Sequence, residues 1–509
     1  MIYNEENQRL KYNQAFWVVV TAGIWLGMTY IFWVGYVGAD DLYYARYAYF
    51  LHRPPINHWE FRIPVILAIR AGFSLFGPTE FAACLPGLIA SAIILLSVAW
   101  LVDWPRTLSW ESQGAMILAS VFPLDVGFRS IPIAPYIASA FLALGTVCIL
   151  KRGKRGQIIG PALLSLGFVS HEVSFFYIAI LCATAIVFDP RRFWRPVLLC
   201  TVFSGCLFLI ESTTYYFLIG DPFARYKTAS LSLSNVHAGV DQTRGIFGLA
   251  FFLWPIKNLI FCKHFGFDLL VLLVCSALMW KHFKEEYRIL LITTFVFFFW
   301  LGFGTQIPWS YKPFGRAFHW YFPITLGVSA LLPYTVFRTF PKRKALACGI
   351  IATLMLAHVA SSAAGGKWGS RVDVSRELLN YAQQHRSNVY LTDVGTMNEM
   401  YVINGFRFPE NVICLNGSAV QKHLRVNQEP PGSPRYFFPD VTPDFILMNL
   451  DRPKEVEFER YLQDHGGQRR RVVDARYRQF FLPFLQLLEP KQYMLKSLGG
   501  EVVKVENKS

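Results

Sequence analysis

The chain has 509 residues, of which 53% are hydrophobic and only 16% are charged, and its formal net charge is +15. Soluble proteins carry about 25% charged residues, so this composition excludes an ordinary soluble enzyme and indicates a membrane protein. The positive charge does not indicate a nucleic-acid partner, because Lys and Arg accumulate in the cytoplasmic loops of membrane proteins and set their orientation.

Apolar stretches of membrane-spanning length recur along the chain. A transmembrane helix needs about 20 apolar residues to cross a hydrocarbon core of about 30 Å. We therefore predict a polytopic α-helical membrane protein with about 11–13 transmembrane helices. The spans that we assign are 15–37, 82–102, 113–128, 132–150, 156–170, 172–188, 197–219, 267–283, 288–304, 319–338 and 344–362.

The charged clusters between these stretches predict the orientation. Placing them in the cytoplasm puts the N-terminus inside, a first outer loop at 38–81 and the C-terminus outside. Two further apolar segments are ambiguous. The segment 61–77 carries two arginines, so we assign it as a helix that lies along the membrane interface. The segment 246–264 is broken by Pro255, and we assign it as an interfacial or re-entrant helix.

The C-terminal region differs in character from the rest of the chain. Short β-rich runs at 388–393, 411–415 and 444–449 alternate with polar helical stretches at 372–385 and 454–464. This alternation is typical of an α/β domain. We predict a membrane domain over 1–364 and a small α/β domain over 365–509 on the outer side.

Two adjacent carboxylates, Asp40 and Asp41, follow the first span in the sequence "GADDLYYARYAYF". They are either solvated loop residues or part of a site at the membrane interface. Asp is a common N-cap, so one carboxylate is available to cap the helix that follows while the other points into a site. A carboxylate there suits a general base. A divalent cation is an open alternative ligand, because hard cations bind carboxylate oxygens.

Basic residues in the predicted outer loops run against the orientation bias. We assign them to a bound anion, most simply a phosphate held by arginine and lysine side chains. For each residue alone, contact with lipid headgroups or with water is the alternative. The candidate phosphate-binding residues are Arg62, Arg225, Lys312 and Arg316.

The charged pair His171–Glu172 stands in a tight turn between two adjacent predicted spans. It is either a satisfied helix turn or a group that recognises substrate hydroxyls. Other polar and aromatic residues of the first outer loop join it as candidates for substrate recognition: Tyr43, Tyr44, His58 and Glu60.

These residues carry a family likeness. The order of "GADDLYYARYAYF", "HWEFRIPVILAIRAGFSLFG" and "TEFAACLPGLIAS" after a first span resembles the protein-mannosyltransferase-like branch of the GT-C glycosyltransferases, which includes the lipid A aminoarabinose transferase and the rhizobial lipopolysaccharide galacturonosyltransferases. In that family an acidic pair opens the first periplasmic loop and its first acid is catalytic, which maps onto Asp40. "HWEFRIP" is a loose counterpart of the family's Lys-Pro element, and "KPFGRAFHWYFP" departs from its Arg-Tyr…Pro element at His319 and Trp320.

The resemblance implies a glycosyltransferase of the inner membrane with its site on the periplasmic side. It implies transfer of a hexose or pentose from a polyprenyl-phosphate donor to a lipid or glycan acceptor, such as lipopolysaccharide or lipid A. A polytopic transporter or a flippase of a lipid-linked substrate is the alternative. The predicted spans hold few charges in their middles and show no repeat, which favours the enzyme. A non-catalytic scaffold is a third alternative.

Overall fold

The computed structural model divides the chain into two compact units. The helical unit comprises Met1–Trp33, Pro54–Val65 and Pro86–Gly365, and the mixed unit comprises Val34–Arg53, Ile66–Leu85 and Gly366–Ser509. The structure describes residues 2–37, 40–51, 54–55, 58–151, 153–229, 249–262, 264–303, 305–307, 310–313, 318–365, 370–414, 443–450, 456–473 and 500–506.

Helices dominate the chain up to residue 365. They are α1 (Ile2–Ile31), α2 (Asp40–Phe50), α3 (Ile63–Phe76), α4 (Glu80–Leu101), α5 (Trp110–Val121), α6 (Pro123–Phe128), α7 (Ala134–Leu150), α8 (Gly156–Ser170), α9 (Ser174–Phe188), α10 (Pro190–Ile219), α11 (Leu249–Ile260), α12 (Asp268–Met279), α13 (Glu285–Phe303), α14 (Ile324–Thr339) and α15 (Lys344–Gly365). Short 3₁₀ turns at Trp280–His282 and Phe318–Tyr321 and a two-stranded ribbon of β1 (Thr305–Ile307) and β2 (Ser310–Pro313) complete this part.

Five helices among the described residues are long and apolar enough to cross a membrane. They are Tyr12–Ile31, Glu80–Leu101, Pro190–Ile219, Glu285–Phe303 and Lys344–Ser362, and each overlaps a predicted span. Only 17% of the membrane-length window of Pro190–Ile219 is buried inside the protein. An apolar helix so little covered by protein needs lipid around it. The predicted class, a polytopic helical membrane protein with a small sheet domain, is confirmed.

Some predicted spans match helices of the structure closely, and one is divided. Helices α7, α8 and α9 match the predicted spans 132–150, 156–170 and 172–188. The prediction of one continuous helix over 113–128 is corrected, because α5 ends before Phe122 and α6 begins at Pro123. Phe122 is extended (φ −61°, ψ 122°), as expected for a residue that precedes proline.

The two segments that we predict to lie along the interface are both helical. The first contains α3 and the second contains α11, which includes Pro255. Their depth relative to a membrane stays a prediction, as do the inside and outside assignments of the loops.

The mixed unit contains a five-stranded sheet. Its strands are β3 (Tyr390–Thr392), β4 (Val412–Cys414), β5 (Phe445–Asn449), β6 (Gly466–Val473) and β7 (Gly500–Val505), in the order β4-β3-β5-β7-β6. β3 pairs in parallel with β4 and β5, whereas β7 runs antiparallel to β5 and β6. The helices here are α16 (Ser370–Gln384), α17 (Val394–Ile403) and α18 (Val456–His465).

The predicted α/β pattern is therefore confirmed in its three strands and its two polar helices. One apolar core lies between the sheet and α18, where Leu391, Ile446 and Val503 pack with Phe458 and Leu462. The early segments of this unit join it through aromatic contacts. The ring of Tyr49 in α2 stacks on Phe406 at 4.4 Å between centroids. The boundary at 364/365 stays a prediction.

Candidate active site

The predicted catalytic pair stands at the start of α2 in the mixed unit. Asp40 and Asp41 both lie in the first turn of this helix, where exposed backbone N–H groups stabilise negative charge. The Asp41 side chain is buried, and its Oδ2 accepts a hydrogen bond from the Val37 backbone N–H at 2.7 Å. Asp41 is therefore an anchor for the chain that enters α2.

Asp40 differs from its neighbour in exposure. It is half-buried, whereas Asp41 is 1% exposed. The two carboxylates thus differ in burial, and the division into a helix cap and a group that points into a site stays a prediction. The two tyrosines predicted to recognise substrate also differ, because Tyr43 is half-buried and Tyr44 is completely buried. Tyr44 belongs to the core of this unit.

A third carboxylate, Glu80, lies beside this segment and was missed in the sequence. Its Oε1 accepts hydrogen bonds from the Tyr36 backbone N–H at 2.7 Å and from Arg376 Nη2 at 2.5 Å. Burial raises the pKa of the Tyr36 hydroxyl, and Cys84, Glu80 and Asp41 raise it further. The hydroxyl stays protonated at neutral pH, so a carboxylate remains the candidate base. An acid two residues before a predicted span is the signal that would have found Glu80.

Four predicted residues meet in the helical unit, where α8, α9 and α10 end or begin. Arg62 Nη2 donates to Glu172 Oε2 at 3.2 Å, and Arg225 Nε donates to Glu172 Oε1 at 3.0 Å. His171 lies next to this carboxylate, with Nε2 3.9 Å from Oε2. The turn that carries His171 and Glu172 is thus a junction of the first loop and the segment after α10.

Arg225 is held by a second acid that the sequence did not indicate. Its Nη1 donates to Glu211 Oε1 at 2.8 Å and its Nη2 to the Phe168 carbonyl at 3.3 Å, and its side chain is 0% exposed. Tyr215 donates to the same Glu211 oxygen at 3.1 Å. Glu211 stands near the end of a long apolar helix, and no local pattern marks it as the partner of Arg225.

The charges of this cluster balance. Burial raises the pKa of the Glu172 carboxyl, but Arg62 and Arg225 outweigh burial and hold it well below its usual range. Two arginines face two glutamates, so the formal charges of these four side chains cancel. A phosphate would have to compete with Glu172 for Arg62. Arg225, fully buried, is the weaker candidate for phosphate binding.

Two further candidates of the first loop lie near the same cluster. Burial lowers the pKa of His58 to about 4, and Arg62 lowers it while Glu172 raises it. His58 is therefore neutral at pH 7, and its ring lies 4.0 Å from that of Trp59. Glu60 is 3% exposed. The last two phosphate candidates are not described: Arg316 lies outside the described residues, and of Lys312 only the backbone, in β2, is described.

Two other ionisable pairs are buried in the helical unit. Asp125 accepts from Arg129 and Tyr136, and from the Ser91 hydroxyl at 3.0 Å. Arg129 also donates to backbone carbonyls, so this network holds α6 in the bundle. His358 Nε2 lies 2.7 Å from Asp268 Oδ2, and both side chains are 0% exposed.

A metal ion at the acidic pair is the open alternative from the sequence. Within the described ranges, no group of three or more His, Cys, Asp or Glu side chains is arranged to hold a metal ion. Asp40 and Asp41 stay the candidate ligands, and one oxygen of Asp41 already accepts the Val37 N–H.

No protein-family model and no curated protein sequence matches the chain. One similar solved structure is ArnT from Cupriavidus metallidurans in the apo state. It is 11% identical, the match covers 86% of this chain and 93% of that chain, and the TM-score is 0.47. For ArnT from the same organism bound to undecaprenyl phosphate, the identity is 12%, the match covers 90% of this chain and 96% of that chain, and the TM-score is 0.48. An oligosaccharyltransferase from Archaeoglobus fulgidus, in complex with Zn and sulfate, is 12% identical over 84% of this chain and 68% of that chain, with a TM-score of 0.45. Similarity at this level does not establish a family or an activity for this chain.

Proposed function

We propose that the chain is an integral-membrane glycosyltransferase that uses a polyprenyl-phosphate sugar as donor. The observation that carries this proposal is the division of the Asp40–Asp41 pair. Asp41 holds the backbone at Val37, and the half-buried Asp40 stands at the start of the same helix. In the sequence, this turn follows the first membrane-length helix, Tyr12–Ile31, after a few residues.

In the proposed reaction an acceptor hydroxyl attacks the anomeric carbon of the donor sugar. The bond from that carbon to the phosphate oxygen breaks, and the polyprenyl phosphate leaves with the electron pair. Asp40 accepts the proton of the acceptor hydroxyl. A phosphate acceptor would need no base, because its oxygen is already ionised.

Basic side chains would stabilise the charge on the leaving phosphate. Arg62 is one candidate, because its Nη2 lies at the Glu172 carboxylate, 3.2 Å from Oε2, in the cluster that also contains His171. We assign Arg225 a role in holding Glu172, and Lys312 and Arg316 remain donor-binding candidates. His58, Glu60, His171 and Glu172, with Tyr43, are proposed to contact sugar hydroxyls.

The acceptor is proposed to be a lipid or glycan, of the lipopolysaccharide or lipid A kind, on the outer face of the inner membrane. Mass spectrometry of surface glycolipids from cells with and without the gene tests this. We expect one sugar residue to be absent without the gene, restored by the wild-type chain and not restored by Asp40→Asn. An unchanged glycolipid profile, or full restoration by Asp40→Asn, would contradict the proposal.

The Asp268–His358 pair favours a second candidate, a transporter or flippase of a lipid-linked substrate. Buried ionisable pairs between helices are typical of proton-coupled transport. In that case His358→Asn would abolish uptake or flipping of a labelled polyprenyl-phosphate lipid in vesicles. Asp40→Asn would have no effect on it, which separates this candidate from the enzyme.

A further inference from the structure

Two carboxylates, both later in the sequence, accept hydrogen bonds from the backbone of the segment before α2. Glu80 accepts from the Tyr36 N–H and Asp41 accepts from the Val37 N–H, each at 2.7 Å. Gly35 has φ +71°, and a Cβ at this position would overlap the Glu80 carboxylate. The backbone at Tyr36 and Val37 is therefore held by both carboxylates.

Glu80 is itself held by a residue 296 positions later. Arg376 Nη2 lies 2.5 Å from Glu80 Oε1, and Nη1 of the same guanidinium pairs with Asp373. The side chains are largely buried, at 24% exposed for Arg376 and 18% for Glu80. A guanidinium that bridges two carboxylates has a fixed orientation, because its donors form a rigid planar fork.

We propose that Arg376 is a positioning residue for the Asp40 carboxylate. It acts through Glu80, which holds the Tyr36 N–H. The next N–H, that of Val37, is bonded to Asp41, the neighbour of Asp40 in α2. This inference rests on the proposed function, in which Asp40 accepts the acceptor proton. A displacement of about 1 Å in a catalytic group costs about 100-fold in rate. Loss of Arg376 is therefore expected to lower turnover while donor binding stays the same.

The test compares Arg376→Gln and Glu80→Asp with the control Arg460→Gln. Glu80→Asp keeps the charge but shortens the side chain, so the variant is expected to fold while the Tyr36 contact is lost. Arg460 is exposed on α18 of the same unit, and Arg460→Gln removes the same charge as Arg376→Gln. Purified full-length proteins are compared in amide hydrogen exchange of a peptide covering 34–41, in binding of undecaprenyl phosphate, and in transfer. Transfer is measured from synthetic polyprenyl-phosphate hexoses and pentoses to lipids extracted from cells that lack the gene.

We expect faster exchange at 34–41 and a roughly 10- to 100-fold lower turnover in both test variants. The affinity for undecaprenyl phosphate should stay within about twofold of wild type, and Arg460→Gln should match wild type in every measurement. The double variant should lose no more than the worse single variant, because both changes act on one contact. The inference would be overturned if the turnover losses of Arg376→Gln and Glu80→Asp multiplied in the double variant, or if Glu80→Asp kept wild-type turnover.

The arms separate this inference from the proposed function. If the wild-type chain transfers no sugar from any donor, the proposed function fails. If, in addition, amide hydrogen exchange at 34–41 is unchanged in the variants, the positioning role of Arg376 fails as well. If Asp40→Asn is inactive while Arg376→Gln and Glu80→Asp match wild type, only the positioning inference fails. Should Arg376→Gln not accumulate as a monodisperse protein, Glu80→Asp gives the same decision.

Discussion

The Asp41 carboxylate accepts the Val37 backbone N–H at 2.7 Å, so the second acid of the Asp40–Asp41 pair is part of the local fold. Asp41 is 1% exposed, and a buried carboxylate is stabilised by such a bond and by the positive end of the helix that it opens. The two acids are adjacent in sequence, but we expect them to have different roles because their environments differ. Their substitutions should therefore have different effects.

Asp41→Ala is expected to destabilise the protein more than Asp40→Asn does. A hydrogen bond to a charged group contributes about 1.5–3 kcal/mol, and its removal leaves the Val37 N–H without that acceptor. Thermal unfolding of the two purified variants in detergent, followed by tryptophan fluorescence, measures the difference. Asp40→Asn should unfold like wild type and lose about 100-fold or more in transfer. Equal destabilisation by the Asp40 and Asp41 changes would contradict this division.

The sequence predicted those features that depend on local composition. Apolar runs located α7 within two residues at each end, because length and hydropathy determine such a helix. The strands β6 and β7 were not predicted, since "GGQRRRVV" lacks the alternation of a half-buried strand and its arginines lie exposed at a sheet edge. The break at Phe122–Pro123 was hidden in an apolar run.

The candidate site was predicted in its members but not in its pairing. Basic residues against the orientation bias pointed to Arg62 and Arg225, and the charged pair in a tight turn pointed to Glu172. These three residues do meet. The contacts of Glu80 with Arg376 and of Glu211 with Arg225 depend on packing between distant segments, and no spacing rule reports them. This pairing places carboxylates against arginines that the sequence analysis assigns to phosphate binding.

Arg225→Gln is expected to lower the free energy of unfolding by about 3–5 kcal/mol, because Glu172 and Glu211 both lose their ion pair with the buried Arg225 guanidinium. Lys227→Gln is the matched control. This substitution removes the same charge two residues away, at a lysine that pairs with Asp221 and whose side chain is 62% exposed. We expect the melting temperature in detergent to fall clearly in Arg225→Gln and to stay unchanged in Lys227→Gln. Partial recovery in Arg225→Lys would show that the charge, and not only the fork, is needed.

The stability of the protein should fall as the pH decreases from 6.5 to about 4, in part through His58. The pKa of His58 is lowered from 6.5 to about 4 in the folded protein, mainly by burial. Between these values the unfolded chain binds a proton that the folded chain does not, so stability rises with pH in this window and is lost as pH falls. His58→Gln should show a flatter profile of melting temperature against pH from 4 to 6.5. Profiles that stay parallel would contradict the burial of a neutral His58.

Gly35→Ala is expected to be more damaging than Gly77→Ala, although the two glycines have nearly the same backbone conformation. Their φ angles are +71° and +73°, so alanine carries a similar backbone strain of about 1–2 kcal/mol at each. A Cβ at Gly77 meets nothing within 4 Å, whereas a Cβ at Gly35 overlaps the Glu80 carboxylate. Glu80 cannot move aside without losing its bonds to the Tyr36 N–H and Arg376. We therefore expect a larger drop in melting temperature and a loss of transfer for Gly35→Ala alone. Equal effects of the two changes would mean that the Glu80 contact does not constrain this segment.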